Sequence, residues 1–256
     1  MAEDDKKKVR ARGWGIFKRC PVEISLAPAP VDSGIVINGK RLNWQEVRVT
    51  KSTLSFNGIL MPEHFLSVCY GLGIDNLKVE IRGGEFPFFD GSGKKYLNLL
   101  RKAKIRNQEQ VKEFLLVKKP LVEFHRDSFI AFLPGEELEI RASFSYSPLS
   151  LFSSFSLSHL TPSLYEKEIV WAKTFGRYPS PSFLKRIGLS YQKKGKILIP
   201  KRLRTDEEFI RHKILDLLGD LRVIGRYLRG KIFTRNPSHR LNQRILRRMA
   251  ELGYGN

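Results

Sequence analysis

Residues 205–221 read TDEEFIRHKILDLLGDL and carry the strongest local signal in the chain. Their apolar side chains recur at helical spacing and predict one helix with an apolar stripe against a core; they are Phe209, Ile210, Ile214, Leu217, Leu218 and Leu221. Thr205 and Glu208 have the spacing of a capping box, in which each side chain accepts a hydrogen bond from a free backbone N–H group of the first turn. We therefore expect the helix to begin just after Thr205.

Polar side chains lie on one face of this helix. His212 and Asp216 are four residues apart, so an imidazole nitrogen and a carboxylate oxygen project from the same side and can reach one metal ion. Asp220 continues the line one turn later. An isolated pair at this spacing is more often a solvated ion pair, but the isoleucine and leucine neighbours make this a poor solvent face.

A second acid–imidazole pair, Glu63 and His64, lies far upstream. Pro62 predicts a helix start and places both residues in the first turn. A carboxylate as base and an imidazole as ligand suit hydrolysis by a metal-activated water. Taken alone, the pair is explained more simply by an acidic helix start and an incidental histidine. His239, just before the last predicted helix, is by itself more often a surface residue.

Strand patterns precede helices in both halves of the chain. Alternating apolar residues at 22–26 and 77–81 predict strands, and the Asn-Gly pairs at 38–39 and 57–58 predict hairpin turns. After a basic, polar stretch at residues 101–112, strand patterns resume. The sequence therefore predicts an α+β fold of two similar domains, each a β-sheet layered with α-helices.

The polar stretches also suggest where the parts begin and end. We expect a disordered, charged tail over residues 1–12, an N-terminal α+β domain over 13–108 and a C-terminal α+β domain over 109–256. Within the second domain the patterns predict a strand pair over 143–160, a strand over 171–173, a short helix over 183–187 and a last helix over 241–252.

Composition limits the class of protein and of partner. The 256 residues are 41% hydrophobic and 28% charged, with a net charge of +20, which suits a globular chain that attracts nucleic acid, anionic lipid or phosphorylated substrates. No run approaches the ~18 apolar residues of a membrane span, so neither a secretory signal nor an integral membrane segment is expected. The two cysteines, Cys20 and Cys69, make no disulfide framework, which indicates a reducing cytoplasm.

Five short motifs occur in a fixed order: Glu63-His64 with GLGIDN at 71–76, EFPFFDGS at 85–92, AKTFG at 172–176, RHKILDLLGD at 211–220 and SHRLN at 238–242. Together they resemble the zinc-dependent UDP-3-O-acyl-N-acetylglucosamine deacetylases of lipid A biosynthesis, over about residues 13 to 252. Each motif is short, but five in order and rough spacing make a specific signal.

The resemblance implies two α+β domains with the active site at their interface. It implies Zn²⁺ held by His64, His212 and Asp216, an arrangement that leaves a coordination position for water. It further implies a substrate, a UDP-linked acylated amino sugar, whose acetamide is hydrolysed to acetate and a free amine. We expect a cytoplasmic monomer of a Gram-negative-type bacterium.

The resemblance also implies roles for the residues around the metal. Glu63 would act as the base, and the Thr174 hydroxyl would stabilise the oxyanion. His239, held protonated by Asp220, would donate a proton to the departing amine. The remaining two, Phe175 and Lys213, would contact the substrate.

Two segments depart from the family pattern. The usual Gly-Leu-His-Ser-Gly is replaced by GIFKR at residues 15–19, and the usual Gly-Gly-Ser-Leu-x-Asn by SYQKKG at 190–195. Two alternatives therefore stay open: a divergent family member acting on another N-acyl sugar nucleotide, and a basic nucleic-acid-binding protein, although the resemblance predicts no nucleic acid.

The basic last helix is either solvated or in peripheral contact with an anionic membrane, the inner membrane in this setting; its cations are Arg240, Arg244, Arg247 and Arg248.

Overall fold

The computed structural model describes residues 8–147, 151–177 and 181–254. In the first half the strands are β1 (Val9–Trp14), β2 (Pro21–Pro28), β3 (Ile35–Ile37), β4 (Lys40–Arg41), β5 (Val47–Thr50), β6 (Thr53–Phe56), β7 (Ile59–Leu60) and β8 (Leu77–Arg82), and the helices are α1 (Glu63–Leu72) and α2 (Lys94–Lys102). Five strands form one sheet in the order β1-β2-β8-β3-β4, and β5, β6 and β7 form a second. The turns predicted at Asn38-Gly39 and Asn57-Gly58 connect β3 to β4 and β6 to β7.

In the second half the strands are β9 (Phe114–Leu116), β10 (Leu121–His125), β11 (Ser128–Leu133), β12 (Leu138–Tyr146), β13 (Leu151–Ser158), β14 (Tyr191–Lys194), β15 (Ile197–Pro200) and β16 (Tyr227–Arg235). The helices are α3 (Pro162–Glu168), α4 (Pro181–Arg186), α5 (Glu208–Arg222) and α6 (His239–Met249), followed by a π-helical turn over Ala250–Tyr254. The main sheet has the order β10-β11-β16-β12-β13, and β9 extends it by pairing with β16. The predicted two-domain α+β class is confirmed.

The serine- and phenylalanine-rich stretch forms the predicted strand pair, because β12 and β13 pair antiparallel from Glu139 with Ser158 to Tyr146 with Leu151. Exposed and covered positions alternate along β13, and Phe152 is 70% exposed. One face of this pair therefore meets solvent, as the alternation indicates.

The prediction of a disordered tail over residues 1–12 is wrong for residues 9–12. Residues 1–7 lie outside the described part of the chain, but β1 begins at Val9 and pairs antiparallel with β2. The reason is a period of two: Val9 and Ala11 pack against the core while Arg10 and Arg12 project outward. Charged residues on the outer face of an edge strand are compatible with pairing, and Arg12 forms an ion pair with Glu23 at 2.7 Å.

The strand predicted over residues 171–173 is absent, because side chains of α5 use the backbone groups there. The backbone N–H of Lys173 donates to Glu208 Oε1 at 3.0 Å. The same carboxylate accepts from the backbone N–H of Arg204 at 2.6 Å, so Glu208 does not close a capping box with Thr205. Accordingly α5 begins at Glu208, with Glu207 as its N-cap and no side-chain cap.

One large apolar cluster joins both halves of the molecule. It includes Leu26 and Val79 from the first sheet, Ile140 and Ile232 from the second, and Leu217 from α5. Within the described residues, none of the helices combines the length and the apolar character that a membrane crossing requires.

Candidate active site

The start of α1 and the middle of α5 lie directly against each other. Pro62 is the N-cap of α1, so Glu63 and His64 occupy its first turn. A Cβ atom at Gly219 of α5 would lie 2.1 Å from the carbonyl oxygen of Glu63. Because glycine has no side chain, α5 can approach the α1 backbone here, and its polar face comes beside the Glu-His pair.

Three buried side chains converge at this crossing. His64 from α1 meets His212 and Asp216 from α5, and each offers one ligand atom within 4.8 Å of the others. The Nε2 atoms of His212 and His64 lie 3.3 Å and 3.6 Å from Asp216 Oδ1. The structure thus brings together the three residues that the sequence predicts as metal ligands.

The protonation of this group suits a divalent cation. His212 Nδ1 lies 3.1 Å from the carbonyl oxygen of Ala172, so Nδ1 carries a proton and the lone pair is on Nε2. Burial lowers the pKa of His212, although Asp216 opposes this shift. Among the described residues, neither His212 Nε2 nor His64 Nδ1 has a hydrogen-bond partner, although both atoms are buried. Two imidazoles and a carboxylate with unused donor atoms fit a metal.

The carboxylate of Asp216 is ionised despite its burial. Burial alone would raise the pKa of Asp216, but the neighbouring cations Lys213 and His239 outweigh it and hold the pKa well below its usual range. Lys213 Nζ donates to Oδ2 at 3.2 Å, while Oδ1 faces the two imidazoles. The two carboxylate oxygens therefore have separate surroundings.

Glu63 lies beside these ligands in a closed environment. The hydroxyl of Thr53 donates to its Oε1, and the backbone N–H of Leu54 donates to its Oε2 at 3.2 Å. Burial raises the pKa of Glu63, although the nearby histidines oppose the shift. A carboxylate with a raised pKa is well matched to accepting a proton near neutral pH.

His239 faces Glu63 from the start of α6. Its Nδ1 lies 2.8 Å and 3.0 Å from the two oxygens of Asp220, and Asn242 also donates to Asp220 at 2.7 Å. Burial lowers the pKa of His239, but the carboxylates of Asp220, Asp216 and Glu63 outweigh it and raise the pKa to about 10. Its Nε2 lies 3.8 Å from Glu63 Oε1 and 4.0 Å from Asp216 Oδ2. His239 is therefore a cation that directs an N–H group into the site.

The remaining predicted site residues lie along one side of α5. The ring of Phe175 lies 6.1 Å from the ring of His212, and Lys213 Nζ lies 5.2 Å from the Phe175 ring centre. Thr174, which precedes Phe175 along the chain, is buried, and its backbone N–H donates to the carbonyl oxygen of Gly91 at 2.8 Å. The segment from Ala172 to Phe175 thus follows the metal-ligand face of α5.

Sequence reasoning missed some residues that hold this arrangement. Thr53 and Asn242 each contact a carboxylate of the site, and Gly219 allows the helices to meet. Asn242 stands in the SHRLN motif, where a polar side chain three residues after His239 is a signal that it shares the same helix face. No comparable signal marks Thr53, since the β6 hairpin alone brings it to Glu63.

Comparisons with known proteins agree with this geometry. Residues 5–251 match the sequence model of the family described as UDP-3-O-acyl N-acetylglycosamine deacetylase. The UDP-3-O-acyl-N-acetylglucosamine deacetylase of Syntrophus aciditrophicus is 31% identical, over 96% of this chain and 85% of its own length. The enzyme of the same name from Solibacter usitatus is 32% identical, over 95% and 89%. That of Alcanivorax borkumensis is 32% identical, over 94% and 87%.

The family match covers all the site residues, from Thr53 to Asn242, and the coverage of each relative leaves little of either chain unmatched. The converging histidines and carboxylates and the sequence comparisons lead to the same assignment. This chain belongs to the UDP-3-O-acyl N-acetylglycosamine deacetylase family.

Proposed function

We propose that this protein is a zinc-dependent deacetylase that hydrolyses the acetamide of UDP-3-O-acyl-N-acetylglucosamine to acetate and the free amine, the committed step of lipid A biosynthesis. The observation that carries the proposal is the convergence of His64, His212 and Asp216 beside Glu63 and His239. An amide hydrolase needs an activated water, a base for its proton and an acid for the leaving nitrogen, and this group supplies all three roles.

Zinc is the favoured metal because the donor set is two imidazoles and one carboxylate, which is typical of catalytic zinc. When bound, Zn²⁺ supplies Lewis acidity, which makes water a nucleophile near neutral pH and favours negative charge on the attacked carbonyl. His64, His212 and Asp216 hold the ion. Lys213 fixes one oxygen of Asp216 and leaves the other towards the imidazoles.

Glu63 accepts the proton of the attacking water. Its raised pKa and its position beside His64 support this role. Thr53 and Leu54 hold the carboxylate from behind, so that its orientation does not depend on the substrate. Water adds to the acetamide carbonyl carbon, and the C–N bond then breaks.

His239 donates the proton that the departing nitrogen needs. Without this proton the leaving group would be an amide anion, which is a far poorer leaving group than an amine. Asp220 holds Nδ1 of the imidazolium, so Nε2 is the atom that directs its proton into the site. Thr174, in the segment that follows the metal-ligand face of α5, stabilises the developing oxyanion.

Phe175 and Lys213 contact the substrate. Phe175 packs against Phe144 and Phe209 at ring distances of 5.1 Å and 4.8 Å, which makes one firm wall beside His212. Lys213 lies over this wall and carries the positive charge that an anionic sugar nucleotide requires.

A divergent member of the family, acting on another N-acyl sugar nucleotide, is not favoured, because the family match and the names of the relatives agree on one deacetylase activity. The two departing segments, the loop at residues 15–19 and residues 190–195 with strand β14, do not change this. The nucleic-acid-binding alternative is not favoured, because it gives no reason for two buried histidines and three buried carboxylates at one helix crossing. Assaying acetate release from several N-acyl sugar nucleotides separates the two deacetylase candidates.

Domain limits and location remain proposals. We place the domain boundary between residues 108 and 109, within the coil that separates α2 from β9. Cys20 and Cys69 are both free thiols, and the cytoplasmic location stays a prediction.

Metal analysis coupled to an assay of acetate release tests the proposed function. The purified protein should hold about one zinc ion per chain, as a site with three protein ligands predicts. Glu63→Ala should keep the metal and lose deacetylation by at least about a hundredfold. His212→Ala should lose both metal and activity. Equal activity in Glu63→Ala and the parent would remove the base assignment, and full zinc binding by His212→Ala would remove the metal site.

A further inference from the structure

A mixed apolar and cationic surface surrounds strand β9, apart from the active site. Phe114 is 44% exposed and Leu116 is 49% exposed, and both project outward while Leu115 between them is buried. Val111, just before the strand, is 82% exposed. With four neighbouring cations these side chains form what we call the basic apolar face: Val111, Phe114 and Leu116 with Lys112, Lys118, Lys119 and Arg229.

The cations of this face are not neutralised by the protein. Within the described ranges, none of the four forms an ion pair. The nearby carboxylates have other partners, because Glu113 pairs with Arg226 at 2.7 Å and Glu137 pairs with His159. The face therefore keeps its positive charge next to its exposed apolar side chains.

Two of the cations are positioned by aromatic rings. The Arg229 guanidinium lies 3.9 Å from the Phe114 ring centre, and Lys112 Nζ lies 4.7 Å from that of Tyr227. Both cations line a groove of about 310 Å³ at the edge of the face. Such a groove can receive a phosphate-bearing group while the outer apolar side chains enter a less polar phase.

The basic last helix does not offer a comparable surface. Arg244 and Arg248 of α6 bind Glu123 at 2.7 Å and 3.2 Å, and Arg247 donates to the carbonyl of Val47 at 3.3 Å. These arginines fasten α6 to the neighbouring strands. Membrane contact through α6 would have to break these interactions, whereas the basic apolar face is already free to make new ones.

The face also lies away from the catalytic group. β9 pairs with Tyr227–Arg229 at the start of β16, and the other end of β16 leads to His239. Lys112 lies against Gly73, just beyond the end of α1, whereas His64 is in its first turn, so about 14 Å of helix separates them. The face is therefore distinct from the metal-ligand group.

We propose that the basic apolar face binds the surface of an anionic phospholipid bilayer. Exposed valine, phenylalanine and leucine side chains enter the interface, and lysine and arginine contact lipid phosphates. A nucleic acid would use the charge but not the aliphatic side chains, and Arg229 already covers the Phe114 ring that a base would stack on. The inference goes beyond deacetylation and does not depend on it.

Sedimentation with phosphatidylcholine vesicles, with and without phosphatidylglycerol, tests this inference. The parent should bind only the vesicles that contain phosphatidylglycerol, and added salt should weaken binding. Lys118→Glu/Lys119→Glu should reduce partitioning by at least about tenfold, since each charge near an anionic surface contributes about this order of effect. Phe114→Ser/Leu116→Ser should also reduce it at unchanged net charge.

Matched control variants test whether vesicle binding depends on this face or on the charge and hydrophobicity of the protein surface in general. Lys193→Glu/Lys194→Glu makes the same charge change on β14, and Phe124→Ser/Phe152→Ser removes two other exposed phenylalanines, 65% and 70% exposed. The controls should bind vesicles like the parent. Acetate release and thermal unfolding of the face variants should match the parent, which shows that they are folded.

Three results would overturn the inference. The parent could fail to bind anionic vesicles, the controls could lose binding as strongly as the face variants, or the face variants could bind as strongly as the parent. Face-dependent binding of single-stranded RNA without vesicle binding would assign the face to a different partner.

Discussion

At the scale of single residues, the chemistry depends on buried groups that change each other's protonation. His239 is buried yet cationic, because the carboxylates of Asp220, Asp216 and Glu63 surround it. His212 is buried and neutral, because Nδ1 faces a carbonyl oxygen and burial dominates. The site thus holds one protonated and one neutral imidazole at the same pH, which suits the proposed acid and the proposed metal ligand.

The charge on His239 makes a prediction for metal-stripped protein. Its pKa is about 10 in the folded state and about 6.5 unfolded, so the folded state binds more protons between these values. The resulting stability is complete below about pH 6.5 and is lost as the pH rises towards 10. Between pH 6.5 and pH 10, the free energy of unfolding of the parent should fall by on the order of a few kcal/mol relative to that of His239→Gln.

Urea unfolding of both proteins at several pH values measures this difference. If the free energies of unfolding of the parent and His239→Gln differ by the same amount from pH 6 to 10, folding does not raise the pKa of His239, and the prediction is wrong. Asn242→Asp offers a comparison with the imidazole intact, since an added carboxylate beside Asp220 should raise the pKa of His239 further.

At the scale of elements, the crossing of α1 and α5 creates the site. Alone, α5 carries an imidazole and a carboxylate four residues apart, and α1 carries an adjacent carboxylate and imidazole; neither is unusual on a solvated helix. The contact at Gly219 removes solvent from both and brings His64 to the pair on α5. Packing of the two helices therefore turns ordinary side chains into a ligand group.

Gly219→Ala tests the need for this close approach. Alanine normally stabilises a helix, but the added methyl group would meet the Glu63 carbonyl at 2.1 Å and force the helices apart. We expect a loss of about 1–3 kcal/mol in stability and at least about tenfold weaker zinc binding.

Gly71→Ala is the matched control. Its methyl group would meet the Tyr165 ring at 2.3 Å, so it should also destabilise, but it lies at the far end of α1. Zinc titration followed by thermal unfolding compares the two variants. Equal zinc affinity in Gly219→Ala and Gly71→Ala would contradict the geometric explanation.

The elements differ in how well the sequence predicts them. Regular apolar periods predict α1, α5 and most strands, because a period reports which face is buried. The capping box at Thr205 is wrong because one oxygen of Glu208 accepts from the backbone N–H of Arg204. The strand predicted at residues 171–173 is wrong because Glu208 and His212 bind this segment, which is distant from them along the chain. Such contacts cannot be predicted from the local sequence pattern, and neither can the hydrogen bond from Thr53 to Glu63.

The prediction of the site depends on five motifs that occur in the order of the family, and not on helix geometry. Spacing alone indicates that His212 and Asp216 share a face, but nothing in the spacing brings His64 to them. The resemblance supplied that step, and the helix crossing accounts for it physically. The prediction assigns the beginning of β1, residues 9–12, to a tail, because charged residues on an edge strand resemble those of a tail.

At the scale of the whole molecule, a bound metal would connect the two halves of the chain. His64 belongs to the first half, and His212 and Asp216 belong to the second. A ligand that binds only the folded arrangement stabilises it by mass action, about 2.7 kcal/mol when its concentration is a hundred times its Kd.

Removal of the metal should therefore lower the unfolding temperature. For a chain of this size we expect a fall of about 5–10 °C after chelation, with recovery on adding Zn²⁺. Differential scanning calorimetry measures the shift, and His212→Ala should show none. An unchanged unfolding temperature in the parent would mean that the metal contributes nothing to joining the halves.

The loop at residues 16–18 is held in an unusual way. The buried carboxylate of Glu85 accepts hydrogen bonds from the backbone N–H groups of Ile16, Phe17 and Lys18, at 2.7 Å to the first. These hydrogen bonds involve only the backbone of the loop, so they do not depend on the identity of its side chains. Evolution or protein engineering can therefore exchange the outward-facing Lys18 while the path of the loop stays the same.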